Sequence, residues 1–179
     1  MASYRSSVRS RGLRQQIKGL AGNGWLPVLY GEAGKQTVDF GRAPEALPGE
    51  DEMPKVSVIL TSFNHDKYLH EAIDSVLDQT FEDFELIIWD DASSDISWHL
   101  IGLYKDPRIV AFRNDHRKGE AFGLNHAISE VARGQYVAIH HSDDAWEPNK
   151  LEKQVAYLDR HDEIGAVFTN ATIIGEDSS

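Results

Sequence analysis

Residues 54–91 read PKVSVILTSFNHDKYLHEAIDSVLDQTFEDFELIIWDD, and the hydrophobic period changes twice within them. Val56 to Leu60 is a short β-branched run of the kind found in strands buried on both faces, and Thr61-Ser62-Phe63-Asn64 follows it as a polar loop. Tyr68, Leu69, Ala72, Ile73, Val76 and Leu77 then recur at helical spacing, which predicts an amphipathic helix over residues 66–79. Phe84 to Trp89 returns to a strand, closed by Asp90-Asp91 and the turn-rich Ala92-Ser93-Ser94-Asp95.

Beyond this stretch the alternation continues, with a helix near 96–105, a strand at 109–113, a helix near 119–132, a strand at 135–140, a helix over 151–160 and a strand at 164–169. Repeated β-α-β units with short loops predict an α/β fold: a mostly parallel sheet with helices on both faces, its strand C-termini gathered along one edge. Ligands of such sheets bind at that edge. The polar loops 61–66, 90–95 and 141–148 each follow a strand and so should converge there.

Composition narrows the chemistry. The 179 residues carry a formal net charge of −11, and the excess acid lies beyond the first fifty residues, which hold seven Lys and Arg against four Asp and Glu. An acidic body lacks the basic stripe that a nucleic-acid partner requires. It suits a solvated surface, or a site that meets an anionic diphosphate through a bound cation. The absence of cysteine excludes disulfides, thiolate metal sites and cysteine nucleophiles, leaving oxygen and imidazole donors for any metal, which points to Mg²⁺ or Mn²⁺. No run of 18 apolar residues and no signal-like start is readable, so the expected compartment is the cytoplasm.

Residues 1–53 break the alternation and are expected to form a flexible or partly helical extension, with 47–52 as linker and the domain proper over 54–179. Arg5, Arg9, Arg11, Arg14 and Lys18, with Val8, Leu13, Ile17 and Leu20, leave two readings open for residues 1–20. One is a disordered tail. The other is a basic amphipathic helix resting peripherally on an anionic membrane face or a partner.

Two acidic pairs end strands. An ionised carboxylate at Asp90-Asp91 accepts hydrogen bonds from a base N–H or a ribose hydroxyl. Alternatively Asp91, Ser93 and Ser94 cap the next helix. In His141-Ser142-Asp143-Asp144-Ala145-Trp146-Glu147-Pro148 the adjacent carboxylates repel one another unless a cation neutralises them. Hard oxygen donors open to water suit Mg²⁺ or Mn²⁺, with ligand phosphates completing the octahedron. The competing reading has Asp144 capping a helix entered through Glu147 and Pro148. Trp89 and Trp146 read as packing residues, and His65, His116, His126 and His140 have no ligand spacing.

Pro54 to Asn64, Ala72 to Thr80 and Asp90 to Asp95, then Gly119 to Asn125, Ala127 to Ala132, Gly134 to Tyr136 and His141 to Pro148, closely resemble the motifs of family 2 glycosyltransferases in order and spacing. The resemblance covers roughly residues 54–173. It implies a GT-A, Rossmann-like fold of which this is the N-terminal, nucleotide-binding part. It also implies a nucleoside diphosphate sugar donor (a UDP-sugar favoured, with dTDP- and GDP-sugars open), a hydroxyl acceptor such as a growing glycan, and a Mn²⁺ or Mg²⁺ cofactor. Carried over by position, Thr61 and Phe63 would line the base pocket, Asp91 would receive the base and Asp90 would support its loop. Ser142 and Asp143 fall on the second and third positions of the Asp-x-Asp signature, which makes Asp143 the implied metal ligand, with Asp144 behind it or reaching the metal through water. His141 replaces the usual first Asp, and its imidazole is expected to meet ribose or phosphate. Arg117 or Lys118 is expected to reach the diphosphate.

In such enzymes the metal stabilises the departing diphosphate while a carboxylate base deprotonates the acceptor hydroxyl, and configuration inverts. That base is expected beyond Ser179, leaving the domain C-terminally incomplete. A catalytically silent nucleotide-sugar-binding module would share every residue named above. A receiver-like, Mg²⁺-binding signalling domain would need an Asp closing the third strand, where Ile109 to Asn114 has none. No G-x-G-x-x-G follows the first strand, which weighs against a nicotinamide enzyme.

Overall fold

The computed structural model describes the backbone of Ser6–Arg9 and residues 53–175. Strands are β1 (Ser6–Arg9), β2 (Val56–Ser62), β3 (Phe84–Asp90), β4 (Ile109–Arg113), β5 (Tyr136–His141) and β6 (Ala166–Phe168). Helices are α1 (Leu69–Leu77), α2 (Ser97–Ile101), α3 (Glu120–His126) and α4 (Lys150–Arg160). Among these residues the sheet runs β4-β3-β2-β5-β1-β6. The four strands β4, β3, β2 and β5 are mutually parallel, and β1 and β6 add antiparallel pairings beside β5.

This order sets the place for a ligand. From β2 the chain winds outward through β3 and β4, then returns to the other side of β2 as β5. The strand order therefore reverses between β2 and β5, where a crevice opens beyond the strand ends. Thr61 and His141 are register partners on those two strands at that edge.

Both faces of the sheet are covered. Val56, Val58, Leu60, Leu86 and Ile88 pack with Leu69, Ala72, Ile73 and Val76 of α1 and with Leu151, Val155 and Leu158 of α4. On the opposite face Ile59, Ile87, Trp89 and Val137 meet Ala127 and the side chains after α3. The larger α1 side chains are fully buried, each contributing ~1.5–3 kcal/mol. α3 runs into a π-turn, Ala127–Val131, closed by the Ala132 N–H on the Ala127 carbonyl at 2.7 Å. Gly123 lets α3 sit against Trp89, since a Cβ there would lie 2.4 Å from Trp89 Cδ1.

Three expectations shift. Thr61 and Ser62, read as loop, belong to β2 because Trp89, Asp90 and His141 pair with them across the sheet. The helix expected over 96–105 is the five-residue α2, with Gly102 at its C-cap. Ser6–Arg9 is a strand between β5 and β6, set by pairing with distant residues and not by its own pattern. Residues 1–5 and 10–52, which carry the linker and most of the segment read as membrane-facing, lie outside the described residues, as do residues 176–179. No helix among the described residues is long and apolar enough to cross a membrane.

Candidate functional site

A cleft of about 200 Å³ opens at the C-terminal ends of β2, β3 and β5. One wall carries Thr61, Ser62, Phe63, Asp91, His141 and Ser142, and Arg117, Glu120 and Gly123 form the other, from the segment entering α3. The three polar loops do converge.

At the β3 end, Asp91 is 5% exposed and its carboxylate is held on both oxygens. Oδ1 accepts from Asn114 Nδ2 at 2.7 Å and from the Lys118 N–H at 2.7 Å, and Oδ2 accepts from the Gly119 N–H at 2.8 Å. Burial alone would raise this carboxyl; the bonds from Lys118, Asn114 and Gly119 and the charge of Arg117 outweigh it and hold it below the ordinary carboxylate range. Asp91 caps no helix, because the Ser97 N–H at the start of α2 bonds Asp95 Oδ1 at 2.9 Å instead. Gly119, at φ +89°, turns its N–H and that of Lys118 toward Asp91.

Asp90 points inward, fully buried. Its Oδ2 accepts from the Ser93 N–H at 3.0 Å and lies 3.3 Å from Arg113 Nε. Burial pushes its carboxyl up against the pull of Ser93 and Arg113. Ionising Asp90 therefore costs the fold stability, whereas ionising Asp91 adds to it. The adjoining loops are tied by Asn64, whose Oδ1 accepts from the Ser94 N–H at 2.8 Å, and by Asp95 Oδ2, which accepts from the Asp66 N–H at 3.1 Å. Asn64 (φ 54°) and Ala92 (φ 61°) are left-handed; the alanine conformation costs about 1–2 kcal/mol, offset by these bonds.

At the β5 end, His141 Nδ1 lies 2.7 Å from Glu120 Oε1, and the Thr61 hydroxyl donates to the same oxygen at 3.3 Å. Ser142 is buried, its Oγ 2.8 Å from His65 Nδ1 and its N–H on the Thr61 carbonyl at 3.2 Å. Asp143 is exposed where the cleft meets a second cavity of about 240 Å³, lined also by Tyr68, Glu71, Asp144 and Ala145. Asp144 faces that second cavity and caps no helix, since α4 starts at Lys150 behind Asn149.

Among the described residues no three His, Asp or Glu side chains form a metal cage by themselves. Asp143 instead presents an exposed hard carboxylate, with Asp144 beside it, the kind of donor Mg²⁺ and Mn²⁺ take when phosphates and water complete the shell. The residues present fit a cation shared with a diphosphate.

Residues 57–179 match the family model described as glycosyl transferase family 2. The chain belongs to that family. The putative glycosyltransferase EpsE of Bacillus subtilis is 40% identical over 127 residues, 69% of this chain and 45% of that protein. A UDP-Glc:α-D-GlcNAc-diphosphoundecaprenol β-1,3-glucosyltransferase, WfaP of Escherichia coli, is 36% identical over 107 residues, 60% of this chain and 42% of that protein. The crystal structure of S. aureus TarS in complex with UDP-GlcNAc aligns at 26% identity with a TM-score of 0.53, covering 60% of this chain and 32% of that one. The chain thus spans less than half the length of these relatives.

Family 2 membership removes the receiver-like reading, and the order of the parallel strands, which reverses between the first and the fourth, suits a Rossmann-like sheet. Of the residues singled out in this family 2 chain, Thr61, Phe63, Asp91, Arg117, His141, Ser142 and Asp143 line the cleft, while Asp90 stands behind it. Of the two cations leading into α3, Lys118 turns its ammonium to Asp115 at 2.9 Å and contributes its backbone N–H to Asp91. Arg117 lines the cleft, over the Phe63 ring at 4.2 Å and with its charge acting on Asp91. Sequence reasoning missed Glu120, His65 and Asn114; each acts through a partner distant in sequence. Trp146 packs on His140 at 4.5 Å, and Trp89 forms cleft wall.

Proposed function

We propose that residues 54–179 form the donor-binding domain of an inverting glycosyltransferase, one that moves a sugar from a nucleoside diphosphate sugar to a hydroxyl acceptor in glycan synthesis. The observation that carries this reading is the lining of one cleft by Asp91 and Phe63 at one end and Asp143 at the other, with Thr61 and His141 between. Asp91 is oriented by three donors and retains acceptor capacity on Oδ2 for a base N–H. Phe63 and Arg117 offer a stacking surface for the base. Asp143 would hold a divalent cation, with Asp144 joining it directly or through water. Such a cation supplies Lewis-acid neutralisation of the charge that develops on the departing diphosphate. The TarS complex with UDP-GlcNAc supports a UDP-sugar as donor.

The test is calorimetric titration of UDP, dTDP and GDP into the protein with and without Mn²⁺, repeated on Asp143→Ala. One nucleotide should bind in a metal-dependent manner, and the variant should lose that binding while keeping its fold, since Asp143 is exposed. Metal-independent binding that Asp143→Ala leaves intact would remove Asp143 from the donor site. Because the chain matches less than half of each relative, a donor-binding module without transfer is the second reading. Release of nucleoside diphosphate in the presence of a glycan acceptor separates the two.

A further inference from the structure

Gln79 follows α1 and lines neither cavity, yet it holds the segment that carries Asp143. It is 4% exposed, and its carboxamide is bonded at both ends. Nε2 donates to the Ser75 carbonyl of α1 at 3.0 Å and to the Glu147 carbonyl at 2.8 Å, while Oε1 accepts the Leu151 N–H at 2.9 Å. The neighbouring Thr80 adds two ties to the same segment, its N–H on the Pro148 carbonyl at 2.8 Å and its hydroxyl on Glu152 Oε2 at 2.9 Å. The Leu151 N–H belongs to the first turn of α4, where a helix leaves its donors unpaired. Asn149 at the N-cap supplies no side-chain bond, so α4 takes this cap from Gln79, a residue distant in sequence.

The segment joining β5 to α4 is thereby fixed at two ends. At one, the Ser142 N–H bonds the Thr61 carbonyl at 3.2 Å; at the other, Glu147 and Pro148 hang on Gln79 and Thr80. Asp143 and Asp144 lie between. Adjacent carboxylates repel one another, and on an unanchored span a cation would have to gather them at a cost in entropy. A span pinned on both sides meets the cation already in place.

We propose that Gln79 is a positioning residue for the cation end of the donor site, acting through the Glu147 carbonyl and the cap of α4 to hold Asp143 and Asp144 where a metal-bound diphosphate meets them. The inference rests on the donor-site reading and deepens it, because it adds a side chain that touches neither nucleotide nor metal. Groups that orient a metal ligand without binding the metal are worth about 10–100-fold in affinity.

The experiment titrates UDP and GDP in Mn²⁺ and again in EDTA, into the unaltered chain, Gln79→Met and Gln79→Glu. The quantity read is the ratio of the two affinities within each protein, which a general loss of stability leaves unmoved because it scales both alike. In the unaltered chain Mn²⁺ should strengthen one nucleotide about tenfold or more. Gln79→Met removes all three bonds and should bring that gain to about twofold or less, with affinity in EDTA kept within about twofold. Gln79→Glu, studied at about pH 8, keeps an oxygen for the Leu151 N–H and with it the cap on α4, but gives up the donation to Glu147. It should lose the gain as well, and it carries the test if Gln79→Met does not fold. A full gain in either folded variant overturns the inference and leaves the donor site standing. If the unaltered chain shows no gain from Mn²⁺, or binds neither nucleotide, the donor-site reading falls and takes this inference with it.

Discussion

The Asn114 carboxamide donates to Asp91 Oδ1 at 2.7 Å, and this bond gives the Asp91 carboxylate its direction. The carboxamide cannot turn over, because its oxygen accepts the Trp89 indole N–H at 3.1 Å. The chain Trp89, Asn114, Asp91 thus transmits the position of β3 to the Asp91 end of the cleft. Asn114→Ala removes both bonds and leaves a buried indole donor unpaired, costing about 1–3 kcal/mol. Urea denaturation should register that loss. Nucleotide affinity in the folded protein should fall with it, since Asp91 would keep only the two backbone donors. Unchanged affinity would deny that Asn114 orients the site.

Gly123 makes a second, steric prediction. In Gly123→Ala the new methyl would meet the Trp89 ring, which is stacked on Phe112 at 5.0 Å and bonded to Asn114. Neither ring nor helix can yield without loss, so the substitution should destabilise by about 1–3 kcal/mol. Because Trp89 is cleft wall, the variant should also bind nucleotide more weakly, measurable by the same titration.

Lys150 gives a dependence on pH. Its ammonium lies over the Trp146 ring at 4.5 Å and donates to Gln154 Oε1 at 2.9 Å, and burial pushes its pKa down from 10.5 to about 8. Below that value the folded state holds a charge it disfavours. Between the two values the unfolded chain binds the proton and the folded chain does not, so stability rises with pH across that window. Relative to Lys150→Met, the unaltered protein should gain about 2 kcal/mol between about pH 7 and about pH 9.5, read from denaturation midpoints. A flat difference would contradict the burial of this ammonium.

The fold was legible because its signals are local. Val56 to Leu60 and Phe84 to Trp89 announce strands by composition, and Leu69, Ala72, Ile73 and Val76 announce α1 by period; each reading holds in the structure. Ser6–Arg9 was not legible, since a short polar segment becomes a strand only where β5 and β6 supply its partners. The same distinction runs through the cleft. Asp91 and Asp143 stand out as acids at strand ends, but the donors on Asp91 include two backbone N–H groups, which no side-chain pattern reveals. Glu120 meets His141 only because α3 packs over the sheet, and His65 meets Ser142 from a loop on another strand.

The bonds between Asn64 and the 93–95 loop and the buried settings of Thr61, Ser62 and Ser142 leave the strand-end wall already fixed, whereas Arg117 and Glu120 opposite are exposed side chains on a single segment. The cleft is a vice with one stationary jaw. On the donor-site proposal a nucleotide entering it would find one wall prearranged, and the entropy lost on binding would fall mainly on the other jaw, so tightening Arg117 and Glu120 is where affinity would have room to be gained.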